Sequence, residues 1–143
     1  VTGPLSWCGI GNGDWADKDN PPLESDGQTG LLGEIARKQV TRIRYLVANT
    51  AGTITFNGVK YNETTTPGDI IAFITVFENE EIIGATITEQ ALFGGTIVTN
   101  TTPLALVADV VTPGTLYWVQ NRPQFQKTNR DQYTVIGIFR QEK

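Results

Sequence analysis

The sequence predicts a mainly β fold, a β-sandwich or squashed barrel of about eight short strands with one N-terminal helix and an extended N-terminal arm. Threonine, isoleucine and valine number 20, 13 and 11 and together supply 44 of the 143 residues. Their β-branched side chains favour the pleated, half-buried surface of a sheet. The 15 glycines and 7 prolines divide the chain into short segments, as turns between strands require. A chain of this length suits one domain with a single core.

Residues 1–27 are predicted to form the extended arm. Glycines and the Pro21–Pro22 pair recur here without helical or strand periodicity. Trp7 and Trp15 nevertheless lie in this segment, and large aromatic side chains are usually packed on something. They are expected either to contact a neighbouring protein or to fold back onto their own domain. The start of the chain lacks the basic and apolar stretches of a secretory signal, so no export signal is expected.

The single helix is predicted at about residues 28–40, where it opens a β domain that covers residues 28–143. Its apolar residues recur at spacings of three and four and form one stripe: Leu32, Ile35, Ala36 and Val40. Gly30 and Gly33 weaken such a helix, so it should depend on packing against the sheet or a partner.

A basic cluster overlaps the end of this helix, with Arg37, Lys38, Arg42 and Arg44 within eight positions. A solvated face is the ordinary interpretation of such a cluster, and contact with an acidic neighbouring subunit is the alternative. Under the alternative, the candidate interface residues are Trp7, Trp15, Arg37, Lys38 and Arg42.

From residue 42 onward the pattern is that of strands. Asn57-Gly58, between Thr53–Phe56 and Val59–Asn62, gives the strongest local signal, because Asn-Gly supplies the positive φ angles of a two-residue hairpin turn. Further strands are predicted at residues 42–47, 70–77, 82–88, 95–99, 104–110, 115–120 and 133–140.

Charge and cysteine content exclude several classes of protein. The net charge of −4 argues against a nucleic-acid partner, since such affinity depends on many Lys and Arg contacts to phosphate. The apolar runs are far shorter than the roughly 20 residues of a membrane-spanning helix, so no membrane partner is expected. Cys8 is the only cysteine, which rules out an internal disulfide and a multi-cysteine zinc site.

The sequence offers little for catalysis, and the protein is predicted not to be an enzyme and to need no cofactor. It contains no histidine, so Ser-His-Asp and Cys-His nucleophile systems are excluded. Asp14, Asp17 and Asp19 do not have the spacing of an EF-hand, and no metal site is predicted there. The acidic segment Glu78–Glu81 could supply the two carboxylates of a glycosidase, although a solvated turn is the simpler interpretation.

Three stretches resemble a family of small tail proteins of long-tailed bacteriophages. They are Gly13-Asp-Trp-Ala-Asp-Lys-Asp-Asn-Pro-Pro22, Leu31-Leu-Gly-Glu-Ile-Ala-Arg-Lys-Gln-Val-Thr41 and Leu116-Tyr-Trp-Val-Gln-Asn-Arg-Pro123. The order of elements is similar over most of the chain, whereas residues 52–102 follow no pattern of that family. The resemblance implies a structural protein of the virion, a baseplate or tail-fibre component made in the cytoplasm of the host bacterium.

The same resemblance implies the partners. Tail assemblies have three-fold or six-fold symmetry, so a closed homo-oligomer that also contacts other phage tail proteins is expected. The alternative function is a carbohydrate-binding or host-surface-binding β-sandwich module that uses exposed aromatic side chains. Tyr117 and Trp118 are the candidates, but neighbours in a strand point to opposite faces, so at most one of them is expected to be exposed.

Overall fold

The computed structural model describes residues 7–99 and 103–141 and shows a mainly β protein. Twelve strands and one short 3₁₀ helix, Val107–Asp109, make up its regular elements. The strands are β1 Trp7–Gly11, β2 Glu34–Gln39, β3 Arg42–Ala48, β4 Ile54–Phe56, β5 Val59–Thr64, β6 Ile70–Phe77, β7 Thr86–Gly94, β8 Ile97–Val98, β9 Leu104–Leu106, β10 Val110–Thr112, β11 Thr115–Gln126 and β12 Tyr133–Arg140. No helix within the described ranges has the length and hydropathy needed to span a membrane.

Ten of these strands form two five-stranded sheets. Sheet A has the order β11-β7-β1-β2-β9, and sheet B has the order β12-β6-β3-β5-β4. Every pairing is antiparallel. The two remaining strands, β8 and β10, form a small ribbon.

The main core lies between the two sheets. Cys8, Ile10 and Leu92 from sheet A pack in one buried cluster with Phe73 and Phe77 from sheet B. Strand β6 has apolar side chains on both faces, because alternate residues of a strand point to opposite sides. Its other face, with Ala72 and Ile74, belongs to a second buried cluster that sheet B forms with its own strands β3, β4 and β5.

The hairpin predicted at Asn57-Gly58 is confirmed. Asn57 and Gly58 have φ angles of 51° and 78°, and they join β4 to β5 as a two-residue turn. The strands predicted at residues 70–77 and 133–140 are also present with those bounds, as β6 and β12.

The predicted helix at residues 28–40 is wrong, since residues 34–39 form strand β2 and the residues before it form turns and loop. The strand pairs with β1 on one side and β9 on the other. Two ladders of backbone hydrogen bonds therefore outweigh the helical spacing of the apolar residues. Gly30 and Gly33 had already made a helix weak here.

The predicted arm also needs correction where it overlaps β1. Residues 7–11 lie in the middle of sheet A, paired with both β2 and β7, and all five are buried. They belong to the core of the domain that was predicted to begin at residue 28. Residues 12–27 of the predicted arm have no strand, and residues 1–6 lie outside the described part of the chain.

Candidate interaction site

A cleft opens where three sheet edges meet, and we name it the edge cleft. It is lined by Thr53, Ile54, Thr55 and Phe56 from β4 and its approach, Trp118 and Gln120 from β11, and Ile136 and Ile138 from β12. Its volume is about 400 Å³, within the range of about 300–1,000 Å³ that is common for binding pockets.

The edge cleft exists because sheet B curls. Strands β4 and β12 are the two opposite edges of this sheet, yet both line the same cleft. Strand β4 pairs only with β5, and β12 pairs only with β6, so each has a sheet partner on one side among the described residues. An edge strand exposes backbone N–H and C=O groups that can pair with another chain.

The walls of the edge cleft are apolar and its rim is polar. Phe56, Trp118, Ile136 and Ile138 are half-buried, whereas Thr55 and Gln120 are exposed. Arg140 lies beside it, with its guanidinium 5.8 Å from the centre of the Phe56 ring. Arg140 has no ion pair with a carboxylate in the part of the chain that the structure describes. A positive charge is therefore available next to a cleft that has both apolar and polar side chains.

Residues 12–33 form a long covering loop over one end of sheet A. Glu89 on β7 is fully buried and accepts hydrogen bonds from the backbone N–H groups of Leu32 at 3.0 Å and Gly33 at 2.7 Å. Thr88 accepts another from the N–H of Gly13 at 2.8 Å. A side chain at Gly11 would collide with the Glu89 carboxylate, so glycine is needed for this close approach.

The middle of the covering loop is fastened to the edge strand β11. The N–H of Asn121 donates to Glu24 at 2.7 Å, and the Asn121 side chain donates to the Pro22 carbonyl at 3.0 Å. The N–H of Gln124 donates to the Lys18 carbonyl at 2.9 Å. Leu23 stands between two of these anchored residues and is 92% exposed. The loop thus presents a leucine to solvent on a fixed backbone.

The covering loop also carries the excess charge of the chain. Five of the 15 acidic residues and one of the 11 basic residues lie within it, so its formal charge of −4 equals that of the whole sequence.

Within the covering loop, Asp17 accepts hydrogen bonds from the Asn20 side chain and the Asp19 N–H, which lower the pKa of Asp17. The three aspartates considered for a metal site are exposed loop residues, and no cluster of potential metal ligands occurs among the described residues.

The structure places two of the five predicted interface residues inside the fold. Trp7 is buried with Phe93 on the outer face of sheet A. Arg37 is 3% exposed, lies 3.6 Å from the centre of the Phe93 ring and makes a two-pronged ion pair with Glu34. It also donates to Thr96 and to the Pro113 carbonyl. Arg37 therefore ties β2 to the loops around the small ribbon.

The other three predicted interface residues are more accessible. Trp15 is half-buried within the covering loop, where Lys18 lies 5.5 Å from its ring centre. Lys38 pairs with Glu81 at 2.6 Å, and the more exposed Arg42 pairs with Glu63 at 2.8 Å. The structure does not bring the five together as one surface, and their contact with another subunit stays a prediction.

Sequence reasoning missed the edge cleft and the anchors of the covering loop. The cleft joins residues that lie more than 80 positions apart, and no local pattern indicates that sheet B curls. Glu89 lies just beyond the strand predicted at residues 82–88, and the sequence analysis assigned it no role. The fully apolar neighbours Ala91, Leu92 and Phe93 were a signal that its strand is buried.

The comparison with known proteins places the chain in a family. A search of curated proteins finds no relative with significant similarity. A family model described as "Baseplate wedge 3 tail fiber network component" matches residues 5–138 and thus nearly the whole sequence. The match agrees with the resemblance to bacteriophage tail proteins and indicates a structural role in the virion. The chain belongs to the family of baseplate wedge 3 tail fiber network components.

Proposed function

We propose that this chain is a non-enzymatic connector of the phage tail that joins copies of itself and neighbouring tail proteins at the baseplate. The observation that carries the proposal is the edge cleft, where two sheet edges with free backbone groups meet above apolar side chains. Such edges can extend their sheet with a strand from another chain. The family description, a component of a tail fiber network, supports contacts with several partners.

The connector acts in the assembled virion after synthesis in the host cytoplasm. A closed ring with three-fold or six-fold symmetry would match the symmetry of tail assemblies. The lack of histidine in the sequence supports a role without catalysis or cofactors.

The test is to image baseplates from particles that carry the protein by electron cryo-microscopy and to measure the isolated protein by sedimentation velocity over a range of concentrations. The proposal expects density for several copies, in contact with each other and with other tail proteins. It also expects a sedimentation coefficient that rises with concentration. Isolated single copies in the particle, together with a monomer at every concentration, would contradict it.

A carbohydrate-binding role has weaker support. Tyr117 is 56% exposed and is the one aromatic among the most exposed large apolar side chains of the described residues. Its neighbour Trp118 is half-buried in the edge cleft, so the two do not form a joint platform for a sugar.

A further inference from the structure

We infer that Leu23 of one copy fills the edge cleft of a second copy. The inference rests on the proposed self-association and names the contact that produces it. Its two halves are different residues of the same chain, so a head-to-tail contact can repeat from one subunit to the next around a ring.

The first half is the covering loop with Leu23 at its tip. Leu23 is the most exposed large apolar side chain among the described residues, at 92%. The Pro21–Pro22 pair before it restricts the backbone, and Asn121 holds the residues on both sides of it. A loop that is already fixed loses little conformational freedom when it binds. The chain therefore displays an apolar anchor in a ready conformation.

The second half is the edge cleft, whose walls suit such an anchor. Phe56, Ile136 and Ile138 are half-buried apolar side chains around a volume of about 400 Å³. Leu23 of the same molecule cannot be their partner in this conformation, because its side chain is almost fully in solvent. A second copy can bring its own Leu23 to the cleft without rearranging either sheet.

Charge complementarity supports this occupant. The covering loop has a formal charge of −4, and the remaining residues are balanced overall. Arg140 lies beside the cleft without an ion pair to a described carboxylate. An acidic loop that approaches Arg140 of a second copy is attracted to the place where its leucine fits.

The first experiment compares the association of matched variants by sedimentation velocity. Leu23→Asp should raise the dissociation constant for self-association by about ten-fold or more, since it removes a leucine from an apolar site. Thr55→Arg should have a similar effect, because Thr55 is exposed on the rim of the cleft and a longer side chain blocks it. The control is Ile83→Asp. Ile83 is exposed in a distant turn, so this variant should associate as the wild type does.

The second experiment locates the contact directly. Cys8 is the only native cysteine and is fully buried, and burial raises the pKa of Cys8 to about 12, so it does not react under mild oxidation. A variant with Leu23→Cys and Thr55→Cys should form covalent dimers and higher oligomers under a mild oxidant, visible on a non-reducing gel. The pair Ile83→Cys and Thr55→Cys should stay monomeric on the same gel.

The outcomes separate the inference from the proposed function. If the wild type associates but Leu23→Asp associates equally well and no specific crosslink forms, self-association holds and the leucine contact is wrong. If the wild type is a monomer at every concentration, self-association itself is wrong. Unfolded variants would be recognised by a lost melting transition. The crosslink test uses two exposed positions, so it does not depend on changes in the core.

Discussion

The outer face of sheet A is apolar and closed, whereas the edge cleft of sheet B combines apolar and polar side chains and is open. The outer face is covered by the loop that Glu89 holds and by the segments that Arg37 ties together. The edge cleft has threonine and glutamine on its rim and no described segment across it. The buried side chains of Glu89 and Arg37 thus hold chain segments over the outer face of sheet A. The edge cleft has no such buried charged residue among its lining residues and stays accessible to another molecule.

The largest expected effect comes from removing residues 1–24. The deletion takes away β1, the middle strand of sheet A, together with half of the covering loop. We expect the truncated chain to show no cooperative thermal transition, measured by circular dichroism and calorimetry. A truncated chain that melts like the full-length protein would show that β1 is an appendage and not part of the closed face.

The next largest effect is expected for Arg37→Ala. The change removes the buried guanidinium of Arg37 and leaves the half-buried carboxylate of Glu34 without its ion pair; breaking a fully buried pair costs about 3–5 kcal/mol, which is the upper limit here. Urea unfolding should show this loss in the free energy of unfolding. Arg130→Ala is the matched control, because Arg130 is exposed and its side chain has no described hydrogen bond. Equal stability of both variants would mean that Arg37 does not fasten the outer face.

Glu89→Ala should reduce the free energy of unfolding by about 2–4 kcal/mol, because two backbone N–H groups lose a charged acceptor. The covering loop should also become more open, which hydrogen exchange at Leu32 and Gly33 can measure. Glu80→Ala tests the same chemical change at an exposed position and should alter stability by no more than about 0.5 kcal/mol. Unchanged exchange at Leu32 and Gly33 would argue that other contacts hold the loop.

The smallest effect concerns Glu81, a charge outside the closed face. Burial raises the pKa of Glu81, but hydrogen bonds from Lys38 and from the Glu78 N–H outweigh burial and lower the pKa overall. A lowered pKa in the folded state stabilises the protein above the unfolded value of about 4.3, and that contribution disappears as the pH falls through the folded value.

Glu81→Gln should therefore cost about 1 kcal/mol or less at pH 7, and the difference from the wild type should shrink once the pH is below about 4. Urea unfolding at several pH values measures it. A difference that is the same at pH 7 and at low pH would show that the charge on Glu81 contributes nothing.

The comparison of the two surfaces also shows what the sequence could predict. The β class, the Asn57-Gly58 hairpin and strands β6 and β12 were predicted correctly from the sequence. These features depend on patterns within a few neighbouring residues, namely alternating apolar residues and turn-forming residues. The glycines of β1 suggested an extended arm outside the domain, whereas Gly9 and Gly11 in fact let Phe93 and Glu89 approach the strand. Residues 7–11 and 34–39 form strands because β1 pairs with β2 and β7, and β2 pairs with β1 and β9. These partners lie far away in the sequence.

The candidate site lay beyond local patterns for the same reason. The edge cleft depends on the curl of sheet B, which brings Phe56 near Ile136 and Ile138. The role of Arg37 depends on Pro113 and Thr96, which are far from it in sequence. A basic cluster in the sequence does not indicate which of its members become buried.

The uneven charge of the molecule affects how fast it meets a partner. Because the covering loop holds all of the excess negative charge, the molecule has a negative end and an otherwise balanced body. An electric field from a positively charged surface turns such a molecule so that the loop arrives first, which raises the rate of productive encounters. Added salt should slow these encounters and leave the lifetime of the bound state almost unchanged, because apolar contacts are not screened.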